Sequence, residues 1–316
     1  MSLVLLTGGT GFVGREVVRE LVAKGYRVRL LCRDAEAVRT APWVKALNGR
    51  EDPNLIEAVP GDLLDPATLP AACAGVDTVV HLVGIIAERG RQTFQRVHAE
   101  ATAHLVRAAR EADVHRFIHM SALGTRPDAP SPYHRTKWAA EESVRNEGGD
   151  GGMAWTIFRP SVIFGPRDRF VNRLAAFLRP PLSLLQLNTF PLFGGGRSLL
   201  QPVSVEDVAR AFVAAIPHPG AAGKTYDLVG PERISLRDLL RTIVAVQGGR
   251  ILFFPLPWPL ARLAGTVFQL LPDPLVTTAQ VAMLRDDNVG DVEPAATLFG
   301  LRQEPFRDGI ARYLKP

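Results

Sequence analysis

A short stretch near the amino terminus confines this chain to a narrow set of folds. Leu3-Val4-Leu5-Leu6-Thr7 is a continuous apolar run, and it breaks into Gly8-Gly9-Thr10-Gly11-Phe12-Val13-Gly14. An uninterrupted apolar run suits a strand buried on both faces, as parallel strands in layered α/β proteins are. Gly8, Gly11 and Gly14 recur every third residue, where glycine permits a tight turn, close main-chain approach to a ligand and close helix packing. Val17, Val18, Leu21 and Val22 then follow at helical spacing, and Gly25 is placed to end that helix. Strand, glycine turn and helix in this order put free main-chain amides and the positive end of a helix dipole where an anion can sit. The spacing predicts a pyrophosphate-binding turn drawn from Gly8, Thr10, Gly11, Phe12, Val13 and Gly14.

The rest of the first half repeats the alternation of strand and helix. Tyr26 to Arg33 predicts a second strand, residues 35–53 a short helix and a loop, and Leu55 to Val59 a third strand ending in Pro60-Gly61-Asp62-Leu63. Asp65-Pro66-Ala67 starts a helix with an N-cap and an N1 proline. Asp77 to Gly84 predicts a fourth strand, Gln95 to Ala112 a helix, His115 to Ala122 a fifth strand and Trp155 to Phe164 a sixth. His81 lies inside a strand pattern and is expected to pack. Where the second strand ends, an acidic residue suits the ribose of NAD and an arginine suits the 2′-phosphate of NADP. Arg33 stands there, which favours NADP over NAD.

Ser131-Pro132-Tyr133-His134-Arg135-Thr136-Lys137 contains Y-x-x-x-K, and residues four apart share one face of a helix. With four tyrosines and five lysines in the chain, about 0.06 such pairs are expected by chance. An ammonium beside a phenol favours the phenolate, so Lys137 is expected to lower the pKa of Tyr133 from its usual value. The tyrosine can then exchange the proton that accompanies hydride transfer, while the lysine also bonds a nicotinamide ribose.

The glycine turn, Gly61-Asp62-Leu63, Tyr133/Lys137 and Arg159-Pro160-Ser161-Val162-Ile163-Phe164-Gly165-Pro166 together resemble the extended and atypical branches of the short-chain dehydrogenase/reductase superfamily. The resemblance implies a doubly wound parallel sheet of the Rossmann type with a smaller, mostly helical carboxyl-terminal domain. It divides the chain into 1–166 completed by 201–230, and a substrate or partner domain of 167–200 and 231–316. It implies that Asp62 and Leu63 hold the adenine, that Leu82, Val83 and Gly84 border the ribose, and that Pro160 and Val162 bracket the nicotinamide. The superfamily's third catalytic group is a hydroxyl near the end of strand five. Its slot falls on Ala122, which leaves Ser121 as the candidate, with Thr125 as a substitute. His98 stands where the family usually has asparagine, a departure expected to remove a polar support of the site. Pro202 to Ala209 and Lys224 to Pro231 match two scaffold landmarks, with Ser204 or Glu206 capping a helix.

In its last third the chain is similar to the branch containing the NAD(P)H-binding accessory subunit of respiratory complex I and its bacterial relatives. That resemblance implies an oxidoreductase with an incomplete triad that reduces an apolar carbonyl or quinone. It also allows a non-catalytic NADPH-holding module docked on a respiratory or membrane partner, or, ranked last, a sugar-nucleotide epimerase or dehydratase. Pattern alone reads residues from Ile234 onward as helical, interrupted at 251–260 by three prolines among large apolar groups. For 251–276 three readings stay open: pocket lining, contact with a membrane face through Trp258 and Arg262, or core of the small domain.

Composition excludes more than it selects. A net charge of +5 over 316 residues is a small excess, and no basic run with interleaved aromatics marks a nucleic-acid surface. Two cysteines fit a reducing compartment, and no His/Cys cluster has metal-ligand spacing. With no signal-like leader or membrane-length apolar run, the expectation is a cytoplasmic protein, at most peripheral to the inner face of a membrane, acting on a small molecule. Oligomeric state is not encoded in any feature of the pattern.

Overall fold

The computed structural model describes residues 2–48, 55–148, 152–179, 188–260, 266 and 284–314. The chain divides into two compact units, one of residues 1–159, 208–226 and 297–301, the other of residues 160–207, 227–296 and 302–316. The short return at 297–301 brings Phe299 against Phe158 and Tyr226. Local pattern carries no trace of that crossing.

A seven-stranded sheet organises the first unit. Its strands are β1 (Leu3–Thr7), β2 (Arg27–Cys32), β3 (Ile56–Pro60), β4 (Thr78–His81), β5 (Arg116–Met120), β6 (Ala154–Pro160) and β7 (Lys224–Leu228). They lie in the order β7-β6-β5-β4-β1-β2-β3. Every neighbouring pair from β3 to β6 is parallel. Gly223 N–H bonds the Trp155 carbonyl and Ser161 N–H that of Leu228, so β6 and β7 also run together. Strand order reverses between β1 and β4, the point at which ligands of doubly wound sheets bind, beyond the carboxyl ends of the strands. Val4, Leu5, Leu6, Val79, Val80, Phe117 and Ile118 are inaccessible to solvent, as strands covered on both faces require.

Three helices of this unit matter for the site: α1 (Phe12–Ala23), α2 (Ala101–Glu111) and α3 (Pro132–Gly148). Gly25 follows α1 with a φ of +79°, the left-handed residue that ends many helices. The predicted helix Gln95 to Ala112 is two things: a π-helical turn over Gln95–Glu100 and then α2. Asp65 caps the 3-10 turn Pro66–Thr68 by accepting from Ala67 N–H.

The second unit has its own core, in which Phe164, Val171, Leu192, Leu239, Leu240, Ile243, Phe306 and Ile310 pack together. Ser204 caps α4 (Val205–Ala214) by accepting from Asp207 N–H, and Ser235 caps α5 (Leu236–Val246) by accepting from Asp238 N–H. The helical reading beyond Ile234 needs correction. Ile234–Ser235 is a short strand, and Leu252–Leu256 is a strand paired in parallel with Thr189–Phe193. Pro255, one of the three prolines that interrupted the helical reading, and Pro191 are tolerated because each sits in a two-stranded ribbon where a missing N–H leaves few ladder bonds unmade. Of 251–276, residues 261–265 and 267–276 lie outside the described residues, as do residues 277–283. Among the described residues no helix is long and apolar enough to cross a membrane.

Candidate active site

The glycine turn is built from contacts that exclude side chains. Gly8 has a φ of +79°, and Gly11 N–H closes the turn onto the Gly8 carbonyl at 3.0 Å. A Cβ on Gly14 would lie 2.1 Å from that same oxygen and 2.6 Å from Gly9 Cα. A Cβ on Gly8 would meet the Val83 main-chain nitrogen at 3.3 Å, so the turn abuts the end of β4 at the switch point. Gly11 precedes α1, and among the described residues no side chain caps its first amides. Thr10, Phe12 and Val13 complete this turn, which fits a diphosphate: uncapped N–H groups, the helix dipole and no Cβ in the way.

At the end of β2, Arg33 is exposed and has no ion pair among the described residues. Asp34 accepts from Ala37 N–H at 2.9 Å, capping the helix Ala35–Thr40. Its carboxylate is thus engaged with the main chain. At the end of β3, Asp62 accepts from Leu64 N–H at 3.0 Å and Leu63 is buried. Leu82 N–H bonds the Thr7 carbonyl at 3.2 Å, holding Leu82, Val83 and Gly84 beside the glycine turn. Pro160 ends β6 and, with Val162, belongs to the second unit, where Val162 packs on the core.

Tyr133 and Lys137 lie one turn apart on α3. Lys137 is 3% exposed and its Nζ donates to the Met120 carbonyl at 2.6 Å. The ammonium lies 3.7 Å from where a Cβ on Gly84 would stand, so β4, β5 and α3 converge on it. Burial pulls Lys137 down to about 8, with Glu141 acting in the opposite sense. The Tyr133 ring meets Phe94, His98 and His134 edge-on. The expected lowering of Tyr133 is not found: burial pushes the phenol up to about 12, and the Lys137 ammonium donates to the Met120 carbonyl.

The hydroxyls near strand five are occupied with each other. Ser121 Oγ donates to Thr125 Oγ1 at 3.3 Å, and both side chains are buried. His98, expected to weaken the site, instead makes two hydrogen bonds, with Ile85 N–H and with the Thr136 hydroxyl, each at 3.0 Å.

Sequence reasoning missed a buried polar layer beneath Lys137. His81 bonds Thr7 Oγ1 at 2.7 Å and Thr102 Oγ1 at 3.0 Å, and stacks on His119 at 5.3 Å. Burial, and then the Lys137 charge, hold both imidazoles neutral. Glu141, wholly buried, accepts a two-pronged contact from Arg159 and a further one from Arg145. Its position four residues after Lys137 was the only available signal. Among the described residues no cluster of three or more His, Cys, Asp or Glu side chains could hold a metal ion.

The chain is similar to several known proteins. The chain is 32% identical over 257 residues to the mitochondrial "NADH dehydrogenase [ubiquinone] 1 alpha subcomplex subunit 9" of Arabidopsis thaliana, covering 81% of this chain and 60% of that protein. It therefore spans less than two thirds of that relative. It is 29% identical to the "4-hydroxy-2-methyl-3-oxo-4-farnesyl-3,4-dihydroquinoline-1-oxide ketoreductase" of Stigmatella aurantiaca, covering 89% of this chain and 84% of the enzyme. The crystal structure of gox2253 superposes with a TM-score of 0.73 at 26% identity, covering 98% of this chain and 96% of that one. With the glycine turn, the parallel sheet and the Tyr133/Lys137 helix all inside the matched residues 4–228, the chain belongs to the NAD dependent epimerase/dehydratase family.

Proposed function

We propose that this protein is an NADPH-dependent reductase of an apolar carbonyl or quinone-like small molecule. The observation that carries the reading is Lys137, a buried ammonium anchored on Met120 beside Gly84 and on the same helix as Tyr133. A bound nicotinamide nucleotide would supply the hydride to the substrate carbon. Tyr133 keeps its proton through the neutral range, because its pKa is pushed up to about 12, and gives that proton to the substrate oxygen. Lys137, cationic below about 8, stabilises the phenolate left behind until solvent returns a proton. Gly8, Thr10, Gly11, Phe12, Val13 and Gly14 would hold the diphosphate, Asp62 and Leu63 the adenine, and Leu82, Val83, Gly84 and Lys137 the ribose. Arg33, with Asp34 withdrawn into a cap, favours the 2′-phosphate of NADP. Ser121 acts through Thr125, whose hydroxyl proton is left to polarise the substrate oxygen in place of Ala122.

An apolar substrate fits the exposed Ile86 that follows β4. It also fits the name of the Stigmatella relative, a ketoreductase of a farnesyl-bearing ring. Free Cys32 and Cys73 fit a reducing, cytoplasmic setting. A second reading, an NADPH-holding module on a respiratory or membrane partner, is favoured by Ala122 in the donor slot and by exposed Leu252, Phe254 and Leu260. Adding quinones and aldehydes to protein loaded with NADPH separates the two. Reduction should oxidise the nucleotide, and Tyr133→Phe should cut turnover by about 10²–10⁴-fold with cofactor affinity unchanged. Nucleotide that stays reduced with every acceptor while the protein co-purifies with membranes would favour the docking role.

A further inference from the structure

His98 joins parts of the site that the chain itself does not connect. It sits in the π-helical turn Gln95–Glu100, a winding that recurs at functional sites. The side chain is fully buried, stacked on Phe94 at 5.5 Å and edge-on to Tyr133 at 5.2 Å. Its two hydrogen bonds decide where its proton lies. Ile85 offers a main-chain N–H, which can only donate, so His98 Nε2 accepts and carries no proton. The single hydroxyl proton of Thr136 is directed at the carbonyls of Pro132 and Tyr133, at 3.1 and 3.0 Å. The Thr136 oxygen therefore accepts from His98 Nδ1–H. Both bonds require a neutral ring, and burial and then the Lys137 ammonium keep it neutral.

We propose that His98 is a positioning residue: as a neutral Nδ1–H imidazole it ties the main chain after β4 to the helix α3 that carries Tyr133 and Lys137. The proposal rests on reading this site as a nicotinamide nucleotide site. The tie has a direction at each end. Through Ile85 it fixes the chain next to Gly84, where a ribose would approach. Through Thr136 it fixes the turn of α3 between Tyr133 and Lys137. Lys137 Nζ and His98 Nε2 both lie within 4 Å of the point a Gly84 Cβ would occupy, so a shift at either end of the tie changes the distance between lysine and ribose.

No amide side chain can make both bonds. Asparagine places a donor where Nδ1 lies and reaches only Thr136, whereas glutamine places an acceptor where Nε2 lies and reaches only Ile85. In the full-length protein, His98→Gln and His98→Asn, which each keep one end of the tie, and His98→Leu, which keeps neither, should all raise the NADPH Kd fivefold or more. Imidazole ¹⁵N spectra of histidine-labelled protein should show a ring protonated on Nδ1 that does not titrate between pH 8 and pH 5. That resonance should vanish in His98→Gln and shift in Thr136→Val. A ring protonated on Nε2, or one that titrates in that range, would overturn the proposal. So would losses of affinity in the three variants that simply follow their melting temperatures, the mark of a merely structural histidine. A protein that binds no NADPH at all would instead remove the nucleotide reading, and the spectra would then decide the tie alone.

Discussion

Replacing Gly14 by alanine tests the nucleotide turn at its tightest point. The new methyl carbon would start 2.1 Å from the Gly8 carbonyl oxygen and 2.6 Å from Gly9 Cα. Real Cβ contacts stay beyond 3.0 Å, so turn and helix must separate by about 0.9 Å. Both neighbours are main chain, and neither has a flexible end to swing aside. Overpacking of this kind costs about 1–3 kcal/mol of stability. The larger effect falls on the ligand, because the amides that would face a diphosphate sit on the two segments being pushed apart. Charge-assisted hydrogen bonds contribute about 1.5–3 kcal/mol each, so losing one weakens NADPH by about 10- to 100-fold. Gly25→Ala provides the control: its φ is +79° but a Cβ there meets nothing within 4 Å, so backbone strain of about 1 kcal/mol should appear without loss of affinity. Calorimetric titration with NADPH and urea unfolding of both variants measure the two effects separately. If Gly14→Ala bound NADPH as tightly as wild type, the diphosphate would not lie on this turn and the placement of every other cofactor contact would fail with it.

Arg33→Ala should cost NADPH tenfold or more in affinity and NADH less than twofold, read by nucleotide fluorescence; equal losses would show that the guanidinium meets no 2′-phosphate. Lys137 makes a pH prediction with a definite sign. Its folded pKa, about 8, lies below the ordinary lysine value of 10.5, so between those values the unfolded chain binds the extra proton and stability rises with pH. The span corresponds to at most about 3 kcal/mol. Wild type minus Lys137→Met, measured by urea unfolding from pH 7 to pH 10, isolates this rise from the thiols and phenols that titrate nearby. A flat difference would mean that the ammonium is solvated. The same deprotonation should weaken NADPH binding above pH 8 in wild type and not in Lys137→Met.

Most of the first unit could be read before any coordinates, because its instructions are local. A buried parallel strand is a run of apolar residues, and a phosphate turn is a spacing of glycines. The Tyr133/Lys137 pair obeys one helical period. Even the cap at Ser204 is a three-residue pattern. What escaped depends on register between distant segments. The partners of His98 lie 13 and 38 residues away in sequence, and the π-helical turn that presents it leaves no mark in a periodicity of 3.6. The strand Leu252–Leu256 was hidden for a related reason. Its partner Thr189–Phe193 lies far back in the chain, and its proline obeys strand rules only once the ribbon's edges are known. The lowered Tyr133 pKa failed on burial, which segments distant in sequence supply: Phe94 and His98 pack against the ring, and burial pushes the phenol up to about 12.

The charge balance around Lys137 explains why histidines surround it. A carboxylate at position 81, 98 or 119 would pair with the ammonium and hold it charged far above the working range. A second cation would repel it. An imidazole held neutral can fill the layer, bond Thr7, Thr102, Ile85 and Thr136, and add no charge of its own. Glu141 is the acidic group that acts on Lys137, and its oxygens are shared with Arg159 and Arg145, which take up most of its field. His119 shows what the layer costs: among the described residues neither of its buried ring nitrogens has a hydrogen-bond partner, an arrangement worth about 1–3 kcal/mol against folding. An apolar side chain in that place would fold more easily. Stacked on His81, the neutral ring adds no charge beside the lysine, and the group set against burial at Lys137 is Glu141.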